Sequence, residues 1–291
     1  MIYVVMGPTC SGKTSVANAI MDKLNCDAIN FDAFQIYKDM DIGTSKLEKE
    51  DSHYSRYHLL DVVSPNKTFS VMEFQSLCRK EIDSVLSKDK DVVLVGGTGL
   101  YLRATLYDYE VPIEEEKDDS DLEKLTNHEL HKMLEELDYD ESLKIHENNR
   151  KRVLRAISMI RSSEFTKTER INSQSHKLIY DNVRFLFLSP DRDSLYENIN
   201  ARVIEMVNNG LVDEVKSLLE KYDLSLTARQ GIGYKEIMDF LRGNCTLDEA
   251  IALIQKRTRN YAKRQVTFFK NQFKYELFTS KDELLNSIKG E

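Results

Sequence analysis

Eight residues near the start, Gly7-Pro8-Thr9-Cys10-Ser11-Gly12-Lys13-Thr14, constrain this chain more than any other stretch. They fit G-x-x-x-x-G-K-[ST], a loop whose backbone N–H groups cradle phosphates. The flanks are those the mechanism requires. Ile2-Tyr3-Val4-Val5-Met6 is a β-branched apolar run that predicts a buried strand, and Ser15 to Leu24 predicts a helix. Gly7 and Gly12 let the backbone curl so that N–H groups point inward, and Lys13 adds a mobile positive charge. Thr14 offers a hydroxyl to Mg²⁺. The helix N-terminus behind the loop also favours an anion. An ordinary glycine turn with an incidental lysine would lack these flanks. The loop predicts binding of a di- or triphosphate.

Beyond it, Cys26 to Phe31 predicts a second strand ending at Asp32, and residues 33–57 are polar and irregular. Tyr57 to Val63 predicts a further strand. Ser70 to Ser87 predicts a helix with Val71, Phe74, Leu77, Ile82 and Val85 on one side. Asp91 to Val95 is a continuous apolar run of the kind found in a central parallel strand, and a helix opens at Leu100. At about residue 108 the rhythm changes. Up to about residue 180 the sequence is charged and helix-forming, with Leu122, Leu125, Leu130, Leu134 and Leu137, then Val153, Leu154, Ile157 and Ile160, fitting short helices. Val183 to Leu188 returns as a strand and the remainder reads as helical, with Ile251, Ile254, Thr258, Tyr261, Gln265 and Phe268 along one face. The expected fold is α/β: a P-loop parallel-sheet core with C-terminal helices, residues 1–107 and 181–291, and a helical insertion domain, residues 108–180.

The net charge of −8 hides an asymmetry. Acidic residues crowd the middle at Asp108, Glu110, Glu114, Glu115, Glu116, Asp118, Asp119, Asp121 and Glu123. Basic residues crowd Arg150-Lys151-Arg152 with Arg155, and again Lys256, Arg257, Arg259, Lys263, Arg264, Lys270 and Lys274. A charge run is usually a solvated face, but two basic clusters on an acidic chain suggest a local polyanion footprint. No apolar run approaches a membrane span, and a strand beginning at residue 2 leaves no room for a leader. Cys10, Cys26, Cys78 and Cys245 are scattered, which fits reduced thiols in a cytoplasm and no structural zinc.

A kinase or nucleotide hydrolase with this loop carries a second acid at the end of an apolar strand. Here Val92 to Val95 runs into Gly96-Gly97-Thr98 instead. The best-placed acid is Asp32, which at the carboxyl end of its strand should face the same crevice as the loop. An aspartate closing a strand is also a common turn residue.

Asp32-Ala33-Phe34-Gln35-Ile36-Tyr37-Lys38-Asp39-Met40-Asp41-Ile42-Gly43-Thr44-Ser45-Lys46, following the phosphate loop, resembles the bacterial tRNA dimethylallyltransferase family. So do His58-Leu59-Leu60-Asp61, Gly96 to Tyr101, Arg152 to Ala156, Asn200 to Val203, Gly210 to Val215, Gly233-Tyr234-Lys235-Glu236 and Thr258 to Gln265. The resemblance implies transfer of a dimethylallyl group from dimethylallyl diphosphate to N6 of the adenosine 3′ of the tRNA anticodon. By it, Gly7 to Thr14 hold the diphosphate with Mg²⁺ on Thr14, Asp32 is the base, Thr98 lies beside the adenine and Arg202 steadies the leaving group. On pattern alone Arg202 would read as a helix-surface arginine. The resemblance also implies that Asp32, Ala33, Phe34, Gln35, Thr98 and Lys151, Arg152, Val153, Leu154 and Arg155 contact the anticodon stem-loop. Arg257, Lys263 and Arg264 are expected to touch the RNA backbone. The chain departs from the family at Ala33, where serine is usual, at Cys10 for alanine and at Phe268 for tryptophan; residues 108–140 look shorter and more acidic. A monomer is expected. A transferase acting on free adenine nucleotides, a small-molecule kinase and a non-catalytic nucleotide switch stay open.

Overall fold

The structure, a computed structural model, describes residues 1–109, 119–162, 166, 168–169 and 177–288. Six strands form one parallel sheet: β1 Ile2–Met6, β2 Asp27–Asn30, β3 Tyr57–His58, β4 Val92–Gly96, β5 Val183–Leu188 and β6 Glu276–Phe278. Their order across the sheet is β3-β2-β4-β1-β5-β6. The helices are α1 Lys13–Leu24, α2 Val71–Leu86, α3 Gly99–Leu106, α4 Ser120–Glu123, α5 Asn127–Leu137, α6 Tyr139–Ser142 and α7 Arg150–Arg161. After β5 come α8 Arg192–Asn208, α9 Leu211–Lys221, α10 Tyr234–Leu241, α11 Leu247–Gln272 and α12 Lys281–Ser287.

β1 and β4 are buried along their whole length, which explains why both read as unbroken apolar runs. Their register aligns Met6 with Gly96, and β2 aligns Asn30 with Val95, so the segments following all three strands leave the sheet at one edge. The functional residues are collected there. Ser70 caps α2 with a reciprocal Ser70–Glu73 capping box, fixing where that helix begins. Its buried side includes Gln75 and Cys78 besides Phe74, Ile82 and Val85.

Two expectations need correction. The strand expected over 57–63 ends at His58, because Leu59 and Asp61 take left-handed backbone, φ 62° and 54°. The C-terminal region is not wholly helical: Glu276–Phe278 adds an edge strand to β5.

The chain divides into two compact units, Met1–Leu106 with Tyr180–Glu291, and Tyr107–Ile179. The second has its own small core, in which Leu122, Leu130 and Leu134 meet Val153, Ala156 and Ile157. Much of the acidic run, Glu110, Glu114, Glu115, Glu116 and Asp118, lies outside the described residues. Among the described residues no helix is long and apolar enough to cross a membrane.

Candidate active site

A cavity of ≈ 1130 Å³ opens at the carboxyl edge of the sheet, lined by Thr9, Lys13, Thr14, Asp32, Arg202 and Gln265 among others. The phosphate loop forms one wall. Gly12 has φ 89°, a left-handed conformation that glycine adopts without strain. Gly7 has no room for a side chain, since a Cβ would stand 2.3 Å from the Leu188 carbonyl oxygen. Cys10 carries φ 61°, tolerable though mildly strained, at a place where the backbone makes the cradle. The Ser11 Oγ is buried in this loop with no hydrogen-bond partner among the described residues, and Pro8 offers its carbonyl to Lys13 Nζ at 2.6 Å. Burial lowers the Lys13 ammonium to about 8; Asp32 and Cys10 oppose that shift and Arg202 adds to it.

Asp32 lies just past β2. Its Oδ1 accepts the N–H groups of Phe34 (2.9 Å) and Gln35 (3.4 Å), a local turn that fixes the carboxylate, while its own N–H donates to Asn30 Oδ1 at 3.1 Å. Among the described residues no donor reaches Oδ2. Thr98, following β4, accepts the Ala33 N–H on Oγ1 at 3.0 Å, so the loops after β2 and β4 are tied together beside Asp32. Ala33 joins that link through its backbone, which a missing hydroxyl leaves intact.

Arg202 on α8 is not a surface arginine. Nη1 donates to Thr9 Oγ1 (3.1 Å) and lies 3.4 Å from Cys10 Sγ, and Nη2 donates to the Thr44 carbonyl at 3.2 Å. The guanidinium fork thus spans the phosphate loop and the segment after β2. Beside it is a smaller apolar pocket of ≈ 110 Å³, lined by Phe34, Ile199, Val203, Met206, Ile232 and Ile254 and reaching Asp32, Arg202 and Tyr261. Four residues that sequence reasoning did not single out for the site complete it. Gln265 on α11 is buried, accepts the Thr9 N–H at 2.8 Å and donates to the Gly97 carbonyl at 2.9 Å, joining phosphate loop to β4. Tyr261 borders both cavities, and burial raises its phenol pKa far above the usual value, so the ring stays neutral. Thr44 and Lys46 hold the segment after β2. Gln265 and Tyr261 stood in the sequence as members of one helix face and of the stretch Thr258 to Gln265 that carries the family resemblance; neither reading marked them as bridges.

The expected RNA-contacting residues divide. Lys151, Arg152 and Arg155 are exposed on α7, but Val153 is fully buried in the core of its unit and Leu154 packs against that core. The side chains of Val153 and Leu154 are therefore structural, a correction to that expectation. Neighbouring Arg150 is also structural, donating to the carbonyls of Leu122, Glu123 and Leu125 at the end of α4. Arg257 is paired with Glu236, which is buried and accepts the Gly233 N–H at 2.7 Å, so its charge is neutralised within the fold rather than offered outward. Lys263 and Arg264 are exposed and lie over the rings of Tyr196 (5.8 Å) and Tyr261 (5.7 Å). Phe268 packs at Gly99, where an added Cβ would stand 2.3 Å from its ring.

The family model described as IPP transferase matches residues 35–272. A tRNA dimethylallyltransferase of Anoxybacillus flavithermus is 38% identical over 98% of this chain and 92% of the relative. Among solved structures, the tRNA delta(2)-isopentenylpyrophosphate transferase of Staphylococcus epidermidis is 34% identical, with a TM-score of 0.71 over 98% of this chain and 96% of that one. A eukaryotic dimethylallyltransferase acting on tRNA superposes with a TM-score of 0.78 at 28% identity, over 92% of this chain and 69% of that one.

Proposed function

This chain belongs to the IPP transferase family, and we propose that it transfers a dimethylallyl group from dimethylallyl diphosphate to N6 of adenosine 37, 3′-adjacent to the tRNA anticodon. One observation carries this reading. A phosphate cradle, a carboxylate oxygen that no donor among the described residues reaches and an apolar pocket converge within one cavity system. A kinase needs the first but not the third.

The loop N–H groups and Lys13 receive the diphosphate, and the five-carbon tail enters the apolar pocket. N6 of the adenosine attacks C1 of the allyl group. The C1–O bond breaks with its electron pair passing to the diphosphate, and the N6 proton passes to Asp32 Oδ2. Adenine N6 is a poor nucleophile because its lone pair is delocalised into the ring, so a carboxylate positioned to take that proton lowers the barrier. Arg202 and Lys13 oppose the charge growing on the leaving oxygen. Thr98 keeps Ala33 and hence the Asp32 turn in place at the adenine.

Mg²⁺ fits the donor set in one way. Among the described residues no cluster of three acidic, histidine or cysteine side chains could hold a metal alone, whereas the exposed Thr14 hydroxyl borders the diphosphate cavity. The ion would be held by Thr14 and the diphosphate oxygens together, and would supply charge neutralisation on the leaving group. The adenosine must leave its stack to enter, so a wide grip on the anticodon stem-loop is required. Lys151, Arg152, Arg155, Lys263 and Arg264 provide exposed cations for it, and Phe34 and Gln35 border the cavities where the base arrives.

The test combines purified protein, Mg²⁺ and labelled dimethylallyl diphosphate with an unmodified tRNA whose anticodon is followed by adenosines, and with AMP in parallel. Label on the tRNA adenosine is expected. Label on AMP alone would replace the acceptor by a free nucleotide, and label on neither would overturn the reading.

A further inference from the structure

We propose that Glu214, on α9, is a positioning residue for the transfer: it fixes the turn 41–44, and through that turn it fixes Arg202. The inference rests on the reading that Arg202 meets the leaving diphosphate.

Glu214 carries an unusual set of donors. Oε2 accepts the N–H groups of Asp41 (3.1 Å) and Ile42 (2.6 Å); Oε1 accepts the Gly43 N–H (3.1 Å) and the Tyr234 hydroxyl (2.7 Å). Three successive backbone donors on one carboxylate, 171 to 173 residues away in sequence, clasp the turn through charge-assisted bonds. Tyr234 closes the clasp from the side: a Cβ on Gly43 would stand 2.5 Å from its ring. The other end of the turn is anchored by Lys46, whose buried ammonium donates at 2.6 Å to Asp41 Oδ1, Asp61 Oδ1 and the Tyr37 carbonyl.

Between the two anchors sits Thr44. Its carbonyl receives Arg202 Nη2, and its side-chain hydroxyl donates back to the Met40 carbonyl at 2.7 Å. A guanidinium is a rigid planar fork, so the carbonyl that holds one limb sets where the other points. Here that other limb lies on Thr9 and Cys10 of the phosphate loop. Glu214 touches neither the loop nor the cavity beside it, yet the angle at which Arg202 approaches the diphosphate is set by the turn that Glu214 holds.

The test is a double-mutant cycle between Glu214→Gln and Arg202→Ala, read as inorganic diphosphate affinity with Mg²⁺ by calorimetry and as kcat for transfer. The amide keeps the size of the carboxylate but loses its charge and half its accepting capacity. Glu214→Gln should weaken diphosphate binding and lower kcat by about tenfold each, with the KM for dimethylallyl diphosphate shifting less than about threefold, since the lost contact acts on charge that appears as the bond breaks. In the Arg202→Ala background the same substitution should cost less than about twofold, because its route has already been removed. Tyr234→Phe, which deletes one donor and keeps the ring, should show the same pattern at smaller scale and covers the case in which Glu214→Gln does not fold. Losses that multiply in the Arg202→Ala background would overturn the positioning role alone. A wild-type protein that binds no diphosphate would overturn the reading beneath it as well.

Discussion

One side of the cavity is a single short stretch, Thr9, Cys10, Gly12, Lys13 and Thr14, whereas the opposite side is assembled from Asp32, Thr44, Lys46, Asp61 and Arg202, with Glu214 behind it, in contacts that span up to 193 residues of sequence. The first wall works through amide groups and one lysine, so Cys10 can stand in it despite a positive φ. The second works through side chains held by other side chains, and each has a particular partner. In the proposed reaction, binding of the anion is a local property of the chain, whereas deprotonating N6 and stabilising the leaving group depend on residues that only folding brings together.

The sharpest way to separate the walls is Asp32→Asn. It keeps the turn-forming oxygen and removes the base, so kcat should fall by roughly 10³-fold, within the range of general-base losses, with little change in diphosphate affinity. Parallel single-turnover and equilibrium binding measurements check this. Arg202→Ala removes a donor to developing charge and should lower kcat by about 10²-fold, measured under saturating donor.

On the loop side, burial lowers the Lys13 ammonium to about 8, and in the proposed reaction the charged form is the one that holds diphosphate. Diphosphate affinity should therefore decline as pH rises through about 8, approaching tenfold per further pH unit, and titration calorimetry in two buffers should show proton uptake on that limb. The smallest effect belongs to the Tyr107–Ile179 unit. Lys151→Ala with Arg152→Ala should weaken stem-loop binding a fewfold and reduce its salt slope by roughly one to two, leaving kcat at saturating RNA unchanged. Filter binding across a salt series checks it.

The same division governs what the sequence disclosed. The phosphate loop was legible because its signal is eight neighbouring residues between a strand and a helix. Asp32 was legible in position, at the end of β2, but its one donor-free oxygen appears only when Phe34 and Gln35 fold back on the other. Arg202 by pattern alone was a helix-surface residue, and only the resemblance placed it at the loop. Glu214 gave no local sign, since a glutamate early in an amphipathic helix is ordinary until three amides from residues 41–43 arrive. Arg257 shows the other direction: within a basic cluster it looked like an RNA contact, and the fold pairs it with the buried Glu236 of the preceding helix. The edge strand Glu276–Phe278 escaped because three residues are too few for a period-two pattern to emerge.

The division of labour between the walls is tested most directly by titrating inorganic diphosphate with Mg²⁺ into wild type, Lys13→Ala and Asp32→Asn, with transfer to tRNA assayed on the same preparations. Lys13→Ala should lose diphosphate binding and transfer together, while Asp32→Asn should bind diphosphate like wild type and transfer almost nothing. Equal loss of diphosphate binding in both variants, or wild-type transfer by Asp32→Asn, would contradict it.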